Sequence, residues 1–95
     1  MLNFKVRFVG EIVELIGRTE LDIQAEEGAT LSDVFSEVGS QYGEGVKRKI
    51  VAPNGDFHPY VMASVNGTDI RGLNGIGTQL NDGDGILVAL QIVGG

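Results

Sequence analysis

The segment LNFKVRFV alternates strictly between apolar and polar positions. Leu2, Phe4, Val6 and Phe8 share one face, and Asn3, Lys5 and Arg7 share the other, which is the period-two signature of a half-buried strand. TELDIQA repeats the pattern, with Leu21 and Ile23 on one side and Asp22 and Gln24 on the other. A turn-like stretch near Gly10 and Gly17 separates the two runs, so they predict an antiparallel hairpin. The period then lengthens. Leu31, Val34, Phe35, Val38 and Tyr42 recur at helical spacing, Thr30 and Asp33 form a capping-box pair, and Gly43 and Gly45 supply a stop. One helix is expected over 31–42.

GEGVKRKIVAPNGDFHP shows little periodicity and reads as a connection, with turn chemistry at PNGD. YVMASVNG predicts a third strand, with Val61, Ala63 and Val65 on one face and Met62 and Ser64 on the other. Asn66-Gly67 is a strong hairpin signal and leads into TDIRG as a short fourth strand. After the glycine-punctuated loop LNGIGTQLNDGDG, the last strand is apolar at nearly every position from Ile86 to Leu90. A strand apolar on both faces belongs at the centre of its sheet. The pattern therefore predicts an α+β fold, with about five strands in a mixed sheet and one main helix on one face. If the first and last strands pair in parallel at the centre, that fold is the β-grasp, the ubiquitin-like architecture.

Residues 1–95 read as one domain, since neither an internal repeat nor a composition break divides them. The 42% hydrophobic content argues against global disorder. Thirteen acidic residues face seven basic ones, for a net charge of −6 and no basic stripe, so nucleic acid is not an expected partner. The absence of cysteine removes disulfides, thiolate metal sites and a cysteine nucleophile. No metal site is expected. No apolar run approaches the roughly 18 residues needed to span a bilayer, and the alternating N-terminus is unlike a signal peptide. The expected location is cytoplasmic, away from membranes.

LQIVGG closes the chain. A terminal glycine pair is commonly just a frayed end. Here it follows directly on a strand expected at the centre of the sheet. Three elements in order, VNG at Val65–Gly67, LNDGDG at Leu80–Gly85 and terminal Gly94-Gly95, resemble the MoaD/ThiS family of ubiquitin-like sulfur carriers. The likeness is greatest to the MoaD-like branch that includes archaeal small modifier proteins. The first half matches more loosely, through its two strands and the ATLSDVF helix start.

The resemblance implies a carrier rather than an enzyme, with no catalytic side chain. An E1-like adenylating enzyme would use ATP to activate the Gly95 carboxylate, and a sulfur donor would displace AMP to leave a thiocarboxylate. No cofactor is expected on the chain itself, because ATP and the sulfur donor serve the activating partner. The sulfur would pass to an acceptor enzyme similar to the large subunit of molybdopterin synthase, with this chain as the small subunit of such a complex. In the modifier branch, Gly95 would instead be joined to lysines of target proteins. An interaction module without tail chemistry is the third reading. Gly94 and Gly95 lack Cβ atoms and so suit a narrow activating channel. Because Gly95 is the last residue, no processing is expected before activation. The segment ALQIV departs from the prolines and larger residues common before the tail in this family.

A candidate partner-docking face is expected on the open side of the sheet, with Lys5, Arg7, Met62, Ser64, Ala89 and Gln91. The remaining motifs carry less. Asp82 and Asp84 have turn reasons to be where they are and fall short of a calcium loop. GLNGIG lacks the lysine and the spacing of a phosphate loop. His58, the sole histidine, sits in no catalytic motif, and Lys47-Arg48-Lys49 reads as a solvated loop cluster. Together with Lys5, Lys47 and Lys49 are the chain's full set of lysines, hence its only internal isopeptide acceptors.

Overall fold

The alternation that opens the chain becomes β1 (Leu2–Gly10), and it pairs antiparallel with β2 (Glu20–Ala25). The computed structural model describes residues 1–90. Helix α2 (Leu31–Tyr42) has the expected bounds. The strand β3 (Val61–Val65), the two-residue β4 (Thr68–Asp69) and β5 (Gly85–Leu90) complete a five-stranded sheet in the order β2-β1-β5-β3-β4. β5 lies at the centre, parallel to β1 and antiparallel to β3. This is the β-grasp arrangement expected from the element order.

Register turns the alternation into layers. Leu21, Val6, Ile86 and Val65 align across four strands and all point inward, and Phe8, Val88 and Ala63 form the next row. Against these rows α2 buries Leu31, Val34, Phe35 and Val38 completely. The Phe35 ring meets Phe57 edge-on, with centroids 5.4 Å apart at 79°. Each such fully buried side chain contributes about 2 kcal/mol of transfer free energy. At the helix start, the Asp33 carboxylate accepts the Thr30 N–H at 2.9 Å and the Thr30 hydroxyl at 3.2 Å.

The structure departs from the pattern reading in four places. The first turn-like stretch contains a short helix, α1 (Ile12–Ile16), which buries Ile12 and Ile16 one turn apart and ends at Gly17 in the left-handed region. The irregular connection after α2 opens with a second unforeseen helix, α3 (Glu44–Ile50), anchored by buried Val46 and Ile50. Lys47, Arg48 and Lys49 therefore sit on the last turn of a helix, where the partial negative charge of its carbonyl end favours cations. Gly43 both ends α2 and begins α3, and Gly45 lies inside α3 rather than stopping α2. Among the described residues, two short helices thus join the main helix α2 over the inner face.

Third, the fourth strand is only Thr68–Asp69. Ile70–Gly72 tighten into a 3₁₀ turn that buries Ile70, because the Asp69 carboxylate accepts the Arg71 N–H at 2.8 Å. Fourth, β5 is central although its outer face is open. Ile86, Val88 and Leu90 are buried, whereas Leu87 is exposed. Among the described residues, no helix is long and apolar enough to cross a membrane.

Candidate functional site

The root of the C-terminal tail is held from both sides. Leu90 is in register with Gly10 on β1 and with Val61 on β3. Gly10 has φ +96°, and a Cβ placed there would lie 2.5 Å from the Leu90 carbonyl oxygen. This glycine therefore does more than turn the chain: it permits β1 to close on the last residues of β5. Gln91, Gly94 and Gly95 of the sequence reading lie outside the described residues.

Lys5, Arg7, Met62, Ser64 and Ala89 come together on the face of the sheet opposite the helices, by register and strand alternation. Arg7 aligns with Leu87, Leu87 with Ser64, and Ser64 with Asp69. Val9, Ala89 and Met62 form the adjacent row. The two halves of this face differ in chemistry. On the β2 side, Lys5 Nζ lies 3.2 Å from Glu20 and 3.9 Å from Asp22, and Arg7 lies 3.7 Å from Glu20. The hydrogen bond to Glu20, then the charges of Glu20 and Asp22, push the Lys5 amine above its ordinary pKa. These exposed pairs add little stability, but they cancel one another's charge.

On the β5–β3 side the face is apolar. Val9, Met62 and Leu87 are 51%, 48% and 38% exposed, too much for residues serving only a core. A depression of ≈ 260 Å³ runs between Met62, Ser64, Gly67, Asp69, Leu87 and Ala89. The sequence reading missed Val9 and Leu87. The signal was present, since position 9 shares the parity of 5 and 7, and position 87 that of 89. The continuous apolar run hid it.

The other sequence motifs are absorbed by the fold. Asp82 accepts the Asn3 N–H at 2.7 Å, and Asp84 accepts from the Asn66 side chain and the Asn81 N–H, both at 2.8 Å. The Asn66 side-chain oxygen in turn accepts the Gly85 N–H at 2.9 Å. LNDGDG thus clasps two turns and sets the register in which β5 begins. Within GLNGIG, Gly75–Gly77 form a 3₁₀ turn closed by the Thr78 hydroxyl, which donates to the Gly75 carbonyl at 2.7 Å. His58 lies with Nε2 2.8 Å from the Arg48 carbonyl and stacks on Tyr60 at a centroid distance of 4.8 Å.

The ThiS family model matches residues 6–95. Small archaeal modifier protein 3 of Haloferax volcanii is 27% identical over 94 residues, which is 99% of this chain and 100% of that protein. Sulfur carrier protein CysO of Mycobacterium tuberculosis is 31% identical over 70 residues, covering 72% of this chain and 74% of that one. The crystal structure of the Amycolatopsis orientalis BexX/CysO complex superposes with a TM-score of 0.76 at 25% identity, over 97% of this chain and 99% of that chain.

Proposed function

This chain belongs to the ThiS family of small ubiquitin-like carriers and modifiers, and from that premise we propose that it carries sulfur on the carboxylate of Gly95. The observation that carries the reading is the root of the tail. Leu90 is paired on both sides in the middle of the sheet, and only five residues separate it from the carboxylate of Gly95. A partner that grips the sheet therefore knows where the tail begins. Such positioning matters because a misplacement of about 1 Å can cost roughly a hundredfold in rate.

A carboxylate is a poor electrophile. An E1-like partner would join it to AMP at the expense of ATP, releasing pyrophosphate, and a sulfur donor would then displace AMP. The chain contributes the reacting carbonyl and a surface, not an acid or a base. Docking would use the apolar half of the open face, where Leu87, Met62 and Val9 are available. The acceptor we propose is a molybdopterin synthase-type large subunit in the cytoplasm.

The relatives' names support two uses of one activated tail, since one is a sulfur carrier and another a modifier. The full-length match to the modifier favours conjugation to target lysines as the second reading.

The chain has no cysteine, so alkylation of native protein followed by intact mass is decisive. Carrier function predicts one rapid adduct that maps to Gly95 and is lost when Gly95 is deleted, with the fold unchanged. Protein without an adduct, accompanied by a ladder of covalent conjugates on denaturing gels, would replace the carrier reading with the modifier. Neither adduct nor ladder would leave an interaction module.

A further inference from the structure

The helix layer carries a second surface of different chemistry. Three of the seven basic residues are consecutive, Lys47-Arg48-Lys49. On the open sheet face, Lys5 and Arg7 are neutralised by Glu20 and Asp22, and Arg71 is bound to Asp69 at 2.9 Å. Among the described residues, none of the three basic side chains on α3 has a carboxylate within 4.0 Å. Among the described residues, the cluster's one side-chain hydrogen bond runs from Lys47 Nζ to the Ser36 hydroxyl, at 3.4 Å. Among the described residues Arg18 also lacks a carboxylate within 4.0 Å, but the α3 run is where three such basic residues adjoin, in a chain of net charge −6.

Beside the cluster lies a groove. After α3 the chain doubles back on itself. Val51 bridges Phe57, the Ala52 N–H donates to the Asp56 carbonyl at 2.7 Å, and Gly55 takes a left-handed turn. A cleft of ≈ 480 Å³ separates this loop from α3, lined by Lys47, Arg48, Val51, Ala52, Pro53 and His58. Its His58 wall is fixed in advance by the Arg48 carbonyl and the Tyr60 ring. Glu44 also borders the cleft, and Asp56 lies in the turn behind it.

We infer that this cleft docks a peptide segment of a partner protein that carries apolar side chains flanked by carboxylates. Val51, Ala52 and Pro53 offer a seat for an apolar residue, while Lys47 and Arg48 on the cleft wall meet the flanking charges. A compact anion such as phosphate is a poorer occupant. It would sit near the carbonyl end of α3 and beside Glu44, whereas an extended chain spreads its charge along the rim. The inference does not depend on tail chemistry. It places a second docking site on the helix layer, leaving the sheet face and tail free for another partner.

The test uses full-length ¹⁵N-labelled protein and a blocked synthetic peptide with two leucines between runs of aspartate and glutamate. Amide shifts should concentrate between residues 47 and 58. Binding should weaken at least about tenfold in a Lys47→Gln/Arg48→Gln/Lys49→Gln variant, which keeps the helix and whose dispersed spectrum reports its fold. Affinity should also fall as salt is raised. The glutamine–asparagine counterpart of the peptide should bind at least about tenfold more weakly. No shift at millimolar peptide, shifts centred on Met62 and Leu87 instead, or equal binding of the uncharged counterpart would each overturn the inference. So would equal displacement of the peptide by single-stranded DNA of matched charge.

Discussion

Gly10 and Gly17 both adopt left-handed backbone, at φ +96° and +79°, yet their surroundings differ. Nothing lies within 4 Å of a Cβ added at Gly17, whereas at Gly10 the added atom meets the Leu90 carbonyl oxygen. A backbone oxygen cannot rotate away as a side chain can. Gly17→Ala should therefore cost about 1 kcal/mol, for backbone strain alone. Gly10→Ala should cost about 3 kcal/mol, because it also separates β1 from β5. Urea denaturation of the two variants checks this. Equal losses would mean that the strand ends relax apart without penalty and that Gly10 does not hold the tail root. The sequence marked both glycines as turn residues. It could not distinguish them, because the atom that singles out Gly10 belongs to a residue eighty positions away.

At the scale of elements, α2 was legible because cap, period and stop agree. Thr30 and Asp33 close the first turn, and four apolar residues fall on one stripe. Thr30→Ala should cost about 1 kcal/mol, as should Asp33→Ala. The double variant should lose less than the sum, since each residue satisfies the other. A thermodynamic cycle measured by denaturation decides, and strict additivity would show that the pair does not act as one cap. α1 and α3 were not legible, for a common reason. Helices of five and seven residues carry too few positions to establish a period, and they are marginal alone. They exist because Ile12, Ile16, Val46 and Ile50 have a core to enter. The β3–β4 turn needed no such help. Asn66 and Gly67 adopt positive φ, as that dipeptide predicts.

For the whole molecule, the proposed docking of an activating partner rests on the open sheet face. Leu87 is 38% exposed on the central strand, so Leu87→Asp should cost about 1 kcal/mol, which leaves the protein folded. The same change places a charge in the apolar half of the face. It should reduce ATP-dependent activation of the tail by at least about tenfold, read as thiocarboxylate formed per unit time. A variant activated at the normal rate would remove this face from the docking site. Lys5 and Arg7, held by Glu20 and Asp22, should matter less for affinity than Leu87, because their charges are already balanced within the chain.

The sequence by itself determined the inward rows, the Asn66-Gly67 turn, the central place of β5 and the family to which the chain belongs. Each rests on local information: the two-residue strand period, the demand of a turn for positive φ, or an ordered set of short motifs. Tertiary structure decided the rest. All three helices pack on the side of the sheet that presents Phe4, Phe8, Ile86 and Val88, which leaves Val9, Met62 and Leu87 uncovered. It also decided which basic residues are paired, by setting β2 beside β1 and leaving Lys47, Arg48 and Lys49 with no carboxylate within 4.0 Å among the described residues. Burial and ion pairing depend on distances between residues far apart in the chain, and no local pattern encodes them.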